Sequence, residues 1–274
     1  MPEGPEMRRA AAELAAVLVA RRARRVWFKF PRLRRAGAAL SGQRVLAVRA
    51  RGKALLIDFA GGRTIYTHNQ LYGKWLLGPA GERPETARDL RLAIETATHA
   101  ALLYSASDIE VLPTADVERH SYVRKLGVEL LASDTRVADV LASVRNRRFA
   151  RRPLGTLLLD QGFLAGVGNY LRSEILFVAR LHPDAKPGQL LAAEQSQLAA
   201  AALRMTRRAY RTRGITNDLT RARQLRARGL SYGQYRHHVF DRANEPCYEC
   251  GTTVRRIVHS GRQLYWCKTC QPLR

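Results

Sequence analysis

The sequence predicts an α+β chain in two parts: a β-rich N-terminal part opened by a helix, and a helical C-terminal part closed by a cysteine module. Three observations predict it. Short β-prone segments broken by glycine and proline fill the chain to about residue 130. Beyond that point apolar residues recur at helical spacing. All four cysteines stand in the last 28 residues. A run of strands followed by a run of helices marks an α+β arrangement, and many short punctuated strands suggest an antiparallel sandwich or barrel.

The opening helix spans about 5–20, where Met7, Ala11, Leu14 and Leu18 line up one apolar face and Pro5 suits the first turn. Strands are expected at Val26–Phe28, Arg44–Val48, Leu55–Phe59, Thr64–Thr67, Trp75–Leu77, Leu90–Ile94, Ala101–Tyr104 and Ile109–Leu112. Ser133-Asp134 offers an N-cap to a helix striped by Val137, Val140, Leu141 and Val144. Pro153 opens another helix carrying Leu157 to Asp160. The loop Leu164–Asn169 precedes a helix over Tyr170–Ala179, and Leu190–Arg211 is a further helix. Residues 213–236 are Arg- and Gly-rich with weak periodicity and read as a loop or lid. No internal repeat is present.

At 274 residues and 46% apolar composition, the chain can bury the core of one large domain or two ordinary ones. No stretch approaches the roughly 18 apolar residues of a membrane span. Glu3, Glu6, Arg8, Arg9 and Glu13 interrupt the first 20 residues, so a secretory signal is not expected and a cytoplasmic location is. Lys and Arg total 47 against 23 Asp and Glu, a net charge of +24. Such self-repulsion is offset by a polyanion, and nucleic acid fits through phosphate neutralisation. A strongly basic amphipathic helix with aromatic anchors for a membrane surface is not found. An Arg-rich compositional bias also contributes to the charge.

Cys247-x2-Cys250 and Cys267-x2-Cys270 are two knuckles sixteen residues apart, the spacing of a four-thiolate zinc site. Four thiolates fill the tetrahedral shell, so the expected Zn2+ is structural; no redox or nucleotide cofactor is expected. His259 between the knuckles is not needed as a ligand. Val254–Val258 and Gln263–Trp266 read as a hairpin around His259-Ser260-Gly261-Arg262. Read alone, Arg262 fits a phosphate contact and an ordinary turn arginine equally well.

Pro2-Glu3-Gly4-Pro5-Glu6 is the other distinctive stretch. Methionine before proline is normally removed, which would leave Pro2 as a secondary amine with a pKa well below that of lysine. Such an amine can attack a sugar C1′ and form an iminium, and the adjoining Glu3 can move protons. Taken by themselves, the five residues fit a helix-opening turn better.

Five segments together resemble the formamidopyrimidine-DNA glycosylase/endonuclease VIII family: Pro2–Glu6, Arg51-Gly52-Lys53, His68-Asn69-Gln70-Leu71-Tyr72-Gly73, Leu158-Leu159-Asp160 through Gly166-Val167-Gly168-Asn169-Tyr170, and Glu245-Pro246-Cys247 through Cys270. They occur in family order over essentially the whole chain. Pro-Glu-Gly-Pro-Glu and Gln-Leu-Tyr resemble the endonuclease VIII branch. The resemblance implies two lobes: an N-terminal helix with an antiparallel β-sandwich over 1–130, a helix-two-turn-helix domain with a lid over 131–236, and a zinc-finger hairpin over 237–274. DNA would lie in the cleft between the lobes.

The implied activity is base excision repair, with removal of oxidised bases, mainly pyrimidines, followed by β,δ-elimination at the abasic site. Residue by residue, the resemblance makes Pro2 the nucleophile and Glu3 its acid/base. Lys53 assists base loss and elimination, and Arg262 grips phosphate in the last step. Asn169 holds a phosphate at a helix start, and Lys125 takes the place of another phosphate-binding cation. Gln70, Leu71 and Tyr72 become the wedge that fills the gap left by the everted nucleotide, since C1′ cannot be attacked inside the stacked duplex. Glu6 and Glu174 orient the site. The partner implied is damaged double-stranded DNA, bound by a monomer, in the nucleoid if the source is bacterial. The Arg-rich stretch from about 213 to 240 departs from the branch and bears on lesion preference. Two competing functions are a non-enzymatic nucleic-acid-binding module, which the intact Pro2-Glu3 pair disfavours, and a zinc-ribbon adaptor for proteins, which the charge and the wedge triplet disfavour.

Overall fold

The structure is a computed structural model that describes residues 2–273. Met1, and with it the expectation that it is removed, lies outside the described residues. The chain divides into two compact units. Residues 2 and 6–125 form the body of the first, and residues 3–5 and 126–273 belong to the second.

The first unit takes α1 (Gly4–Leu18) from Glu6 onward, followed by β1 (Arg25–Phe28), α2 (Arg34–Leu40), β2 (Val45–Arg51), β3 (Ala54–Phe59), β4 (Arg63–His68), β5 (Lys74–Pro79), β6 (Leu90–Glu95), β7 (His99–Tyr104) and β8 (Asp108–Pro113). The strands make two four-stranded sheets, ordered β1-β6-β7-β5 and β2-β3-β4-β8, in which every pair is antiparallel. Val26, Phe28, Leu92, Ile94, Ala101 and Leu103 of one sheet share a core with Val45, Leu55, Ile57, Phe59, Ile65 and Ile109 of the other. The apolar face of α1, Met7, Ala11, Leu14 and Leu18, closes that core as its spacing predicts.

The second unit contains β9 (Val128–Glu129), α3 (Val137–Arg145), α4 (Leu154–Leu157), β10 (Leu164–Ala165), α5 (Asn169–Val178), α6 (Ala192–Arg211), α7 (Leu219–Ala227), α8 (Tyr232–Tyr235), β11 (Arg255–His259) and β12 (Arg262–Trp266). Its main core joins Val140 and Val144 of α3, Leu171 and Ile175 of α5, Leu198 and Met205 of α6, and Leu264 of β12. The cysteine hairpin therefore packs into the helical core. A second cluster places Phe177 of α5 against Val239, Val254, Tyr265 and the cysteines.

Several elements differ from expectation. Helix α2 was not expected; Pro31 opens a short 3-10 turn that leads into it, and Leu33, Gly37 and Leu40 are its buried residues. Ser133-Asp134 does not cap α3: its N-cap is Arg136, whose N–H donates to the Asp139 carboxylate at 2.7 Å. Pro153 does open α4, but that helix ends at Leu157, and Leu158–Asp160 follow it as hydrogen-bonded turns. The 213–236 stretch is not a plain loop, since it carries α7 and α8. Asp218 caps α7 by accepting from Arg221 N–H at 2.9 Å. The helix escapes periodicity because Ala222 is its one buried residue. It is held instead by Arg221, which pairs with Glu249 at 3.1 Å and covers the Tyr248 ring beside the first knuckle.

Candidate active site

The β2–β3 hairpin turns through Gly52 and Lys53, so Lys53 stands at a tight corner with its side chain buried. Its main-chain N–H donates to Tyr122 Oη at 2.9 Å. Tyr122 also meets the edge of the His68 ring, with centroids 5.4 Å apart. Burial lowers the pKa of His68; Asp108 opposes this and the nearby Lys53 ammonium adds to it. Lys53 thus sits at the foot of the turn that carries Gln70, Leu71 and Tyr72. Lys125 ends the 3-10 turn that begins just after Tyr122 and is exposed.

The turn after β4 pushes its apolar members outward: Leu71 is 59% and Tyr72 68% exposed. Gly73 closes it. Its N–H donates to Asn69 O at 2.7 Å, and a Cβ there would stand 2.6 Å from that same oxygen, so no side chain fits. Pro2 and Glu6 line a cavity of about 180 Å³ together with Asn69, Gly73, Lys74 and Trp75. Glu6 is in ion-pair contact with Arg9 one turn along α1, at 3.1 Å.

Glu3 is buried within the second unit. Its Oε2 accepts from Gly168 N–H at 2.8 Å and Leu171 N–H at 3.2 Å, and its Oε1 from Tyr170 N–H at 2.8 Å. These amides open α5, where unpaired N–H groups and the helix dipole favour an anion. The glycine-rich loop makes the seat possible. A Cβ on Gly168 would lie 2.4 Å from Glu3 Cδ. Gly4 N–H donates to Gly166 O at 2.8 Å and fixes the arm beside it. Gln161 staples the loop by accepting from Gly166 N–H and donating to Val167 O, both at 2.9 Å. Burial alone would raise the Asp160 carboxyl, but Arg152 and the Gly162 amide outweigh it and hold it below the usual carboxylate range.

Arg172, which the sequence reading missed, is completely buried on α5. Its guanidinium donates to Asn169 Oδ1 at 2.7 Å, Gly155 O at 2.9 Å and Gln263 O at 3.0 Å, with longer contacts to His259 O at 3.3 Å and Arg262 O at 3.5 Å. One side chain therefore fixes Asn169, the start of α4 and both arms of the cysteine hairpin. Because arginine only donates, Asn169 must turn its oxygen toward it, which leaves the Asn169 NH2 as a donor. Burial, together with the Arg262 charge, lowers the Arg172 pKa to about 10 while Glu3 opposes the shift, so it remains a cation at neutral pH. Arg262 is exposed at the start of β12, opposite His259. His259 rests against Gly155 and reaches Asp184 at 3.0 Å.

Glu174 is also fully buried. Its Oε2 accepts from the Thr216 hydroxyl at 2.6 Å and His238 N–H at 2.8 Å, and its Oε1 from Val239 N–H at 2.8 Å and Phe240 N–H at 2.9 Å. Burial pushes its pKa up, and the facing histidines, Thr216 and the Val239 amide outweigh that and hold it low. It ties α5 to the segment leading into the first knuckle.

The four cysteine sulfurs lie within 4.8 Å of one another, with Cys247 and Cys270 at 3.9 Å and Cys250 and Cys267 at 3.5 Å. Zinc–sulfur bonds of about 2.3 Å in a tetrahedron place sulfurs about 3.8 Å apart, so the set fits one structural Zn2+.

Three family models match the chain: the formamidopyrimidine-DNA glycosylase N-terminal domain over residues 1–107, the formamidopyrimidine-DNA glycosylase H2TH domain over 126–220, and the zinc finger found in FPG and IleRS over 244–273. The chain belongs to the formamidopyrimidine-DNA glycosylase/endonuclease VIII family. It is 43% identical to Endonuclease 8 of Pectobacterium atrosepticum, with 99% of this chain and 100% of that protein covered. Endonuclease 8 of Klebsiella pneumoniae is 42% identical over the same shares. These relatives put it in the endonuclease VIII branch, and membership makes it a DNA glycosylase and abasic-site lyase of base excision repair. Among solved structures, a complex of Lactococcus lactis Fpg with DNA containing an abasic site matches at a TM-score of 0.82 and 20% identity, covering 99% of this chain and all of that one. A complex of the same protein with DNA containing an oxidised pyrimidine matches at 0.81 and 22%, with the same coverage. These neighbours share the fold. Among the described residues, no helix is long and apolar enough to cross a membrane.

Proposed function

We propose that the protein excises oxidised bases, mainly pyrimidines, from double-stranded DNA through Pro2 and then cleaves the strand by β,δ-elimination. The observation that carries this is the seat of Glu3. A carboxylate held by the amides of Gly168, Tyr170 and Leu171 fixes the residue next to Pro2 in one place.

The Pro2 nitrogen attacks C1′, and the glycosidic bond breaks with its electron pair leaving on the base, which takes a proton. Opening of the sugar ring, with protonation of O4′, gives an iminium between Pro2 and C1′. Loss of a C2′ proton expels the 3′ phosphate, and a second elimination expels the 5′ phosphate. Glu3 and Lys53 move protons in these steps, while Arg262, Asn169 and Lys125 hold phosphates. Gln70, Leu71 and Tyr72 fill the vacated stack, and Glu6 and Glu174 support the geometry. The chemistry requires the Pro2 nitrogen as a free amine and therefore a chain without Met1. A cytoplasmic monomer acting on the nucleoid completes the reading.

Borohydride reduction with an oligonucleotide carrying an oxidised pyrimidine or an abasic site tests it. A covalent adduct is expected, and it disappears with Pro2→Gly or with Met1 retained. Salt-sensitive binding with no adduct under any condition would leave a binding module. Single-turnover rates on a panel of oxidised pyrimidines and purines test the lesion preference.

A further inference from the structure

Ser107 belongs to none of the motifs described above. It lies between β7 and β8, and its hydroxyl donates to Gln70 Oε1 at 2.9 Å. The main-chain N–H of Gln70 donates to His68 Nδ1 at 3.0 Å. Gln70 has φ of +48°, in the left-handed region that a residue with a side chain enters at a cost. Two bonds, one to its main chain and one to its side chain, offset that cost. At the other end, the Gly73–Asn69 bond closes the turn. Between these two pins stand Leu71 and Tyr72, the exposed apolar pair.

We infer that Ser107 and His68 are positioning residues for the wedge: they pin its first residue, Gln70, to the sheet and so hold Leu71 and Tyr72 outward. This rests on the proposed function and names what holds its wedge in shape. A wedge held in its inserting shape before binding avoids the ordering cost of forming it on the DNA. Nδ1 accepts only while the imidazole is uncharged, and burial of His68 favours that form. A wedge matters where eversion opens a gap in a stacked duplex. A single strand has no such gap, so the clamp should affect the preference for duplex over single strand.

Ser107→Ala, Gln70→Ala and the double variant test the clamp, with Ser107→Thr as the hydroxyl-retaining control. One readout is the ratio of cleavage rates on duplex and single-stranded abasic DNA. Another is the fluorescence of 2-aminopurine placed opposite an uncleavable abasic analogue, which reports insertion without chemistry. Loss of one hydrogen bond should lower the ratio and the insertion rate about three- to tenfold. The double variant should be no worse than the poorer single variant, and Ser107→Thr should restore both readouts. A Ser107→Ala protein that matches its parent in ratio and fluorescence overturns the inference, as do effects that multiply in the double variant. A parent that cleaves neither substrate overturns the proposed function, and the fluorescence then decides the clamp by itself.

Discussion

Gly168→Ala isolates the seat of Glu3 from everything else in the second unit. The added methyl would lie 2.4 Å from Glu3 Cδ, whereas ordinary contacts begin near 3.4 Å, so the carboxylate must retreat by about 1 Å. Gly168 has a negative φ of −130°, so the substitution introduces a collision without a forbidden backbone angle. A displacement of about 1 Å in a reacting constellation costs on the order of 100-fold in rate. Larger retreat also strips the Tyr170 and Leu171 amides of an acceptor, at about 1.5–3 kcal/mol for each bond to a charged group. Single-turnover base release and borohydride trapping should therefore both fall by about two orders of magnitude. Thermal unfolding followed by circular dichroism, and affinity for an uncleavable abasic duplex, should show a folded protein that still binds. A folded variant that reacts at the parent's rate would refute the claim that catalysis depends on this seat.

Three further outcomes follow from buried groups and the metal. Arg172→Lys offers three donors where the guanidinium meets five acceptors, so at least two acceptors lose their partner; urea unfolding should show a loss of about 2–6 kcal/mol. Metal analysis should find one Zn2+ per chain, and its removal by chelation should release the hairpin; the slope of log affinity against log salt should then fall by about one unit, as it should in Arg262→Ala, if that residue holds one phosphate. Burial lowers the His237 pKa to about 3 from its ordinary value. The folded protein thus favours the neutral ring, and its contribution is present above about pH 6.5 and declines as pH falls toward 3, by up to about 1.4 kcal/mol per unit. Unfolding midpoints measured from pH 7 to 5, above the range where Glu174 titrates, should decline less in a variant without this imidazole.

The zinc ligands and the glycine-rich loop were legible because their chemistry depends on local spacing. The knuckles need only two residues between thiolates, and Gly168 announces a close approach without naming what approaches. Helices with a deep apolar stripe, such as α1 and α6, were equally plain. Helix α7 was hidden because an arginine–tyrosine contact and an ion pair hold it in place of an apolar face. Arg172 was hidden for the opposite reason. Charged side chains are almost never fully buried, and its acceptors at 259, 262 and 263 lie about ninety positions away in the sequence. Ser107 belongs to the same class, since its partner at 70 becomes a neighbour only when β4 and β8 pair.

The buried guanidinium of Arg172 also orders events during synthesis. Helix α5 leaves the ribosome long before the carbonyls of residues 259–263 exist to receive its charge, and an unpaired cation has no place in an apolar interior. Gln271 adds a later fastening, from its side chain to Leu181 O at 2.9 Å and from Cys267 N–H at 3.0 Å. The helical part of a nascent chain thus stays unfinished until residues 259–271 have joined it.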